Sequence, residues 1–321
     1  MKDKFGREID YLRISLTDRC NLRCGYCMPR CGVESIPHSE ILTFEEIARI
    51  VRIMASLGIR KIRLTGGEPL IRKGIVQAAK MISSTDGIEE TVMTTNGVLL
   101  YDMANELRSA GIKRVNISLD TQNRERFMQL TGSDCLDDVL RGIDKAFDAG
   151  LGVKINCVPM RGINDGELAD IALLAKDRPI DVRFIELMPI GCADRFRGIP
   201  TDEVLSCLKE SFGSYDTLSE DSSSPAEYYR FDGFTGRVGT ISAISRKFCQ
   251  SCRRLRLTSD GYLKLCLQYP DGVDLKAPIR GGCTDDELKS IILAAVNNKP
   301  YAHSFSEEGI TDSRKMVQIG G

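Results

Sequence analysis

The sequence predicts an α/β protein, a run of βα units forming a parallel sheet, with a smaller second domain after it. Three observations carry that prediction. Through the first two-thirds of the 321-residue chain, short apolar runs alternate with amphipathic stretches. Gly58-Ile59, Gly111-Ile112 and Gly150-Leu151 each place a glycine before an apolar residue where an amphipathic stretch gives way to an apolar run. Beyond a helix expected to begin near Thr201, the chain turns to short strands broken by polar turns. Strands that alternate with helices pair in parallel, because a parallel neighbour is reached only through a long crossover.

In chain order, candidate strands fall at residues 12–16, 61–65, 90–95, 114–119, 153–158 and 181–186. Amphipathic helices are expected at 44–57, 102–110, 136–149 and 165–175. Thr43 with Glu46 fits a capping box, in which each residue satisfies an orphan N–H of the other, and Asn164 with Glu167 fits a looser one. The three glycines suit the left-handed residue after a helix end, with the apolar follower packing back on the last turn. The βα units leave the sheet either open or closed into a barrel. Residues 219–225 are polar and turn-rich and read as a linker, so the domains are set at 1–215 and 216–321. Short strands are expected at 228–267, with turns at Asp232-Gly233 and Asp260-Gly261. Thr284 and Glu287 open a last helix, and a polar tail runs to Ile319-Gly320-Gly321.

Hydrophobic residues make up 42% and charged residues 28%, the balance of a globular chain. A formal net charge of -1 offers no whole-molecule attraction to nucleic acid or to a membrane, and neither is expected as a partner. Residues 1–6 lack an apolar signal core, and no apolar run is long enough to span a bilayer. A cytoplasmic location is therefore expected. The cytosol keeps thiols reduced, so among twelve cysteines any closely spaced set is expected to bind metal.

Cys20, Cys24 and Cys27 form C-x3-C-x2-C on the loop after the first strand. Three thiolates hold three irons of a [4Fe–4S] cubane and leave the fourth open to a substrate or cofactor. On spacing alone, a zinc knuckle completed by Cys31 or His38 is the alternative. Cys249, Cys252 and Cys266 form a second set, C-x2-C-x13-C, where zinc with Cys283 or His303 as fourth ligand is again the alternative. The remaining cysteines, Cys31, Cys135, Cys157, Cys192, Cys207 and Cys283, read mostly as small buried hydrophobes.

The neighbours of the first set are more specific. Thr17-Asp18-Arg19-Cys20-Asn21-Leu22-Arg23-Cys24-Gly25-Tyr26-Cys27-Met28-Pro29 resembles the motif of the radical S-adenosylmethionine (SAM) superfamily, with Tyr26 as the aromatic residue before the last cysteine. Thr65-Gly66-Gly67-Glu68-Pro69 resembles that superfamily's GGE segment, and Thr94-Thr95-Asn96-Gly97 and Ser118-Leu119-Asp120 end the third and fourth strands. All of them sit at C-terminal strand ends, the face on which parallel βα barrels build their sites. The resemblance implies a cluster whose open iron is chelated by SAM, and reductive cleavage of SAM to a 5′-deoxyadenosyl radical.

Further along, the resemblance narrows to the GTP 3′,8-cyclase (MoaA) family of molybdenum cofactor biosynthesis. It is carried by Leu12-Arg13-Ile14-Ser15, by Lys61-Ile62-Arg63-Leu64-Thr65, by Arg183-Phe184-Ile185-Glu186-Leu187-Met188-Pro189, by Phe248-Cys249-Gln250-Ser251-Cys252-Arg253-Arg254-Leu255-Arg256-Leu257, by Ser259-Asp260-Gly261 and by Gly320-Gly321. It implies an incomplete (β/α)6 radical SAM barrel capped by a smaller C-terminal domain with a second [4Fe–4S] cluster. By position, Tyr26, Gly67, Glu68, Ser118 and Met188 correspond to SAM contacts. Arg13, Lys61, Arg63, Thr94, Lys154, Arg183, Arg254 and Arg256 correspond to GTP contacts. Arg13, Arg254, Arg256, Gly320 and Gly321 correspond to residues that assist turnover. Arginine forks suit phosphate oxygens, which agrees with a triphosphate substrate. The resemblance further implies an external electron donor and a downstream cyclic pyranopterin monophosphate synthase, and it leaves a homodimer open. Residues 190–196 depart from the family, whose corresponding segment often carries tryptophan; this chain has none.

Two other readings compete. A radical SAM enzyme that modifies peptides and carries an auxiliary cluster accounts for both cysteine sets, but not for Arg254, Arg256 or the paired glycines. A two-cluster electron carrier or a zinc-bearing binding protein has no use for an open iron or a GGE segment.

Overall fold

In the computed structural model, residues 1–218, 224–305, 312 and 314–320 are described. Residues 219–223 of the expected linker, and Gly321, lie outside them. The elements run β1 (Tyr11–Ser15), α1 (Phe44–Ser56), β2 (Lys61–Thr65), α2 (Ile75–Ser83), β3 (Glu90–Thr95), α3 (Leu100–Ser109), β4 (Ile112–Ser118), α4 (Arg124–Thr131), α5 (Leu136–Asp148), β5 (Gly152–Cys157), α6 (Leu168–Ala172) and β6 (Asp181–Ile185). There follow α7 (Thr201–Phe212), β7 (Tyr215–Leu218), β8 (Glu227–Phe231), β9 (Arg237–Ile241), β10 (Arg254–Leu257), β11 (Tyr262–Lys264), β12 (Gly272–Asp274), α8 (Lys276–Arg280), α9 (Asp285–Asn297) and α10 (Met316–Ile319).

Local chemistry accounts for most of these boundaries. The Thr43/Glu46 and Thr284/Glu287 capping boxes both form, at the starts of α1 and α9. Gly58, Gly111 and Gly150 all take left-handed backbone at the ends of α1, α3 and α5. Three expectations need correction. The Asn164/Glu167 box does not form. The Asn164 side chain instead accepts from the Met160 N–H (2.7 Å) and donates to the Asp120 and Val158 carbonyls (2.8 and 3.0 Å), tying together the ends of β4 and β5. Without that cap the expected helix breaks up into a 3-10 turn at Asp165–Glu167, α6, and a second 3-10 turn at Leu173–Ala175. The polar tail contains α10, whose Val317 and Ile319 are buried. Of the unassigned cysteines only Cys157 and Cys192 are fully buried; Cys31 is exposed, and Cys135, Cys207 and Cys283 are half-buried against the core.

Among the described residues, twelve strands form one sheet in the order β12-β11-β10-β1-β2-β3-β4-β5-β6-β9-β8-β7. Strands β1 to β6 are all parallel to their neighbours. The later strands do not make a sheet of their own. β10 joins β1 in parallel and β9 joins β6 in parallel, so the C-terminal part extends both edges of the βα run.

Side chains alternate between the faces of a strand, and here the two faces differ sharply. Leu12, Ile14, Ile62, Leu64, Val115, Ile117, Ile155, Val182, Phe184 and Val238 are buried. They pack in one core with Ile47, Ile50, Met54, Leu107, Val139 and Ile143 from the helices. Burying side chains of this size contributes roughly 1.5–3 kcal/mol each. The residues between them are polar: Tyr11, Arg13 and Ser15 on β1, Lys61 and Arg63 on β2, Arg114, Asn116 and Ser118 on β4, Lys154 and Asn156 on β5, Asp181 and Arg183 on β6, and Arg254 and Arg256 on β10. A parallel sheet covered on both faces reads as continuous apolar strands. This alternation means that one face is reserved for something polar. No helix among the described residues is long and apolar enough to cross a membrane.

Candidate functional site

Strand register lines up the cations of the polar face. Arg13 of β1 lies between Arg256 of β10 and Arg63 of β2, and Tyr11 lies between Arg254 and Lys61. Arg63 donates to the Tyr11 hydroxyl (2.5 Å) and to Thr94 Oγ1 (3.3 Å). With its amide oxygen turned toward Arg63, Asn116 accepts from Nη2 at 2.9 Å. Arg183 donates twice to Asn156 Oδ1, at 3.0 and 2.6 Å. Two groups on this face are neutralised locally. Lys154 pairs with Asp181 (2.7 Å), which also takes Arg237 (2.7 Å), and Lys61 and Arg114 share Glu90 at 3.7 and 2.9 Å. Lys154 also donates to the Tyr228 hydroxyl at 2.6 Å. Among the described residues, Arg63, Arg183, Arg254 and Arg256 have no carboxylate at ion-pairing distance. Burial, followed by repulsion from neighbouring guanidinia, presses Arg13 well below its ordinary value; burial likewise brings Arg256, beside Arg254, to about 10. Arg183 falls to about 10 through burial. Arg183 and Arg256 stay charged near neutral pH, and a polyanion would relieve the burial and the repulsion on this face.

The segment that closes on this face comes from the far end of the chain. The Gly320 carbonyl accepts from Arg256 Nη1 (3.0 Å) and Arg13 Nη2 (3.4 Å). Gly320 has φ +75°, and a Cβ there would lie 3.0 Å from both Ser15 Cβ and Thr65 Cγ2. Left-handed backbone in so tight a space favours glycine on both counts. Met316 and Met188 pack on a small apolar group of Ile190, Phe305 and Ile319, which anchors α10. The paired glycines were legible as a motif; the helix that seats Gly320 was not.

The first cysteine set lies on the loop after β1, stitched to the ends of the neighbouring strands. The Gly67 N–H donates to the Thr17 carbonyl (2.6 Å) and the Glu68 N–H to the Arg19 carbonyl (2.8 Å). A Cβ on Gly67 would lie 2.2 Å from the Arg19 oxygen, so this backbone contact exists only because residue 67 is glycine. The buried Glu68 carboxylate accepts from the Leu70 N–H (3.1 Å), the Thr95 hydroxyl (2.7 Å) and the Asn96 N–H (2.6 Å). Burial nevertheless pushes it up to about 7. Asn96 in turn reaches Asn21 (2.8 Å) and the Cys20 sulfur (3.9 Å). The Tyr26 hydroxyl donates to Asp120 (2.7 Å), which also accepts from the Val158 N–H (2.8 Å). Asp120 therefore orients Tyr26. Ser118 is half-buried at the end of β4 beside Asn156.

The two cysteine sets differ in their electrostatic surroundings. Burial raises Cys20, raises Cys24 well above the ordinary thiol value, and raises Cys27 to about 12, with repulsion between members of the set adding to the last two. Thiols so placed shed their protons readily only to a cationic centre. In the second set burial, with repulsion from Cys252 and Cys266, raises Cys249, whereas Lys299, Arg254 and Arg7 together hold Cys252 below its ordinary value despite burial. Among the described residues, no three His, Cys, Asp or Glu side chains close on a point that would hold a single metal ion. A cubane takes each thiolate on a separate iron and does not ask for that convergence.

Sequence reading missed the residues that orient these groups: Tyr11, Asn116, Asn156, Tyr228, Asn96, Arg7 and Lys299. For Tyr11, Asn116 and Asn156, the polar member of an alternating pair along a strand was the available sign.

Residues 14–175 match the Radical SAM superfamily, and residues 180–305 match the family described as Molybdenum Cofactor Synthesis C. The chain is 47% identical over 323 residues to a GTP 3′,8-cyclase of Clostridium perfringens, covering 100% of each chain. It is 50% identical over 326 residues to one of Desulforamulus reducens, again over 100% of each. In fold it is similar to Streptococcus suis SuiB bound to S-adenosylmethionine, with TM-score 0.62 at 15% identity over 91% of this chain and 68% of that one.

Proposed function

The chain belongs to the GTP 3′,8-cyclase family of radical SAM enzymes, and from that premise we propose how its residues carry the family's reaction. That reaction converts GTP to (8S)-3′,8-cyclo-7,8-dihydroguanosine 5′-triphosphate, the first step of molybdenum cofactor biosynthesis. When bound, SAM and the [4Fe–4S] cluster supply the 5′-deoxyadenosyl radical that takes the ribose C3′ hydrogen. The peptide-modifying alternative is not favoured: the full-length relatives are GTP 3′,8-cyclases, and the likeness to SuiB extends to the fold alone.

In this reading Cys20, Cys24 and Cys27 hold the first cluster, while Tyr26, Gly67, Ser118 and Met188 flank SAM. Glu68 acts through its neighbours. Its carboxylate is committed to Thr95, Asn96 and Leu70, so it fixes the glycine backbone and the Asn96 loop. Arg13, Lys61, Arg63, Thr94, Lys154, Arg183, Arg254 and Arg256 receive GTP. Cys249, Cys252 and Cys266 would hold a second [4Fe–4S] cluster, which would offer the base an iron without a protein ligand. Anchoring base and triphosphate at opposite ends brings C3′ and C8 to the 3–3.5 Å or so that reaction demands. Gly320 closes the site; Gly321, expected to act with it, lies outside the described residues. The observation that carries this reading is the convergence of Arg13 and Arg256 on the Gly320 carbonyl, beside the loop of the first cysteine set.

The domains are taken as 1–215 and 216–321 and the compartment as cytoplasmic, and a homodimer is left open. An external donor supplies electrons, and cyclic pyranopterin monophosphate synthase consumes the product. Anaerobic incubation with GTP, SAM and reductant tests the reading. Both 5′-deoxyadenosine and the cyclised nucleotide are expected, with about eight irons per chain from two cubanes. Cys24→Ala should abolish SAM cleavage, and Cys252→Ala should spare the first cluster. Stoichiometric zinc with no iron retained would defeat it.

A further inference from the structure

Two buried cations hold the second cysteine set in place, and neither lies on the arginine-lined face. Lys299 follows α9 and is 3% exposed. Its ammonium donates to the Arg254 carbonyl (2.9 Å) and the Leu265 carbonyl (2.5 Å). Leu265 precedes Cys266, and Arg254 lies two residues after Cys252, so one side chain bridges the two segments that carry these ligands. Arg7 is 8% exposed and holds the third ligand. It donates to the Cys249 carbonyl (2.9 Å) and to the Tyr301 and Pro300 carbonyls (2.8 and 2.7 Å). It also pairs with the buried Asp3 at 2.6 Å.

The two cations differ in how they are compensated. Arg7 has the Asp3 carboxylate. Among the described residues Lys299 has no carboxylate at ion-pairing distance; two carbonyls accept its hydrogen bonds, and the groups within electrostatic reach that become anionic on losing a proton are Cys252 and Cys266. Leaving an ammonium buried without an anion is costly. Three thiolates outweigh the charge of a [4Fe–4S] core and leave the cluster anionic in both redox states, so a cluster here would provide the missing counter-charge. Net charge and hydrogen bonding around the sulfurs are what set a cluster's reduction potential.

We propose that Lys299, seconded by Arg7, is a positioning residue of the second cluster: it clips the Cys252 and Cys266 segments at cluster spacing, and its charge holds the cluster's reduction potential up. This rests on the reading that Cys249, Cys252 and Cys266 bind a second cubane, and the test separates the two. Wild type, Lys299→Met, Lys299→Gln and Lys299→Arg are reconstituted anaerobically. Iron and sulfide are counted per chain, and the potential of each cluster is followed by EPR-monitored titration. Wild type with only the first cluster sinks the parent reading. With two clusters in wild type, Lys299→Met is expected to keep the first cluster and to lose at least half of the second. Whatever remains of the second should titrate at a lower potential. Lys299→Gln keeps two donors but no charge, so it should hold more iron than the Met variant, with the second potential still lowered. Lys299→Arg should restore the potential. If Lys299→Met does not fold, the Gln and Arg variants decide. A second cluster at wild-type content and wild-type potential in the neutral variants overturns the proposal.

Discussion

Arg256 shows what a single residue does at this site. It sits in register with Arg13, is pressed by burial and by Arg254, and donates to Gly320. A hydrogen bond to a charged group contributes about 1.5–3 kcal/mol, and about 1.4 kcal/mol is a factor of ten. Arg256→Ala should therefore lower formation of the cyclised nucleotide by about tenfold or more while 5′-deoxyadenosine production stays within about threefold. Equal loss of both products would place Arg256 in SAM cleavage instead. Glu68 gives a different kind of prediction. Its folded-state value lies near 7 against 4.5 for a free glutamate. The folded chain thus holds a proton that the unfolded chain releases between those values, so stability is fully present below about 4.5 and falls as pH rises through about 7. The neutral Glu68→Gln lacks this slope. Wild type's advantage over it in urea unfolding should shrink by a few kcal/mol, in order of magnitude, between pH 4.5 and 7.5; a constant or widening gap would show that Glu68 stays ionised. The charges of this site were legible as residue types and spacings. Their partners were not: nothing local says that Asp120 meets Tyr26 or that Lys299 meets the Leu265 carbonyl, since both contacts join residues far apart in the chain.

At the scale of elements, legibility followed the strength of the local chemistry. Strands β1, β2, β5 and β6 could be read because apolar members recur at every second position, and α1 and α9 because complete capping boxes announce them. The short α10 could not: four residues between polar neighbours carry no period, and tertiary burial of Val317 and Ile319 decides their conformation. That helix seats Gly320 against β1 and β2. Gly320→Ala places a Cβ 3.0 Å from Ser15 and Thr65 in left-handed backbone, which alone costs about 1–2 kcal/mol. The carbonyl should shift off Arg13 and Arg256. The variant, and a chain ending at Ile319, should both lose most of the cyclised product and still cleave SAM. Full cyclisation by either would show that this segment is only packed there.

For the whole molecule, the decisive feature is one that composition and periodicity do not express. The strands after residue 215 read as a separate domain, yet they border the βα run on both sides. β10 covers β1 with the register Tyr11↔Arg254 to Ile14↔Leu257, and β9 covers β6 from Asp181↔Arg237 to Ile185↔Ile241. The Arg237–Asp181 pair and the Lys299 contact to the Arg254 carbonyl reinforce the two seams. Long-range pairing of this kind is fixed by hydrogen bonds between distant segments, and no window of sequence contains both partners. Removing residues 216–321 would bare β1 and β6 as edges, and parallel edges with open N–H and C=O groups invite association. It would also take Arg254 and Arg256 away from Tyr11 and Arg13. The segment 1–215 alone should therefore elute as aggregates, and its β1 and β6 amides should exchange far faster than in the whole chain, where both seams should open together in one transition. A monodisperse 1–215 that assembles its cluster and cleaves SAM would show that the βα run is self-sufficient, with the flanking strands serving only to build the GTP end of the site.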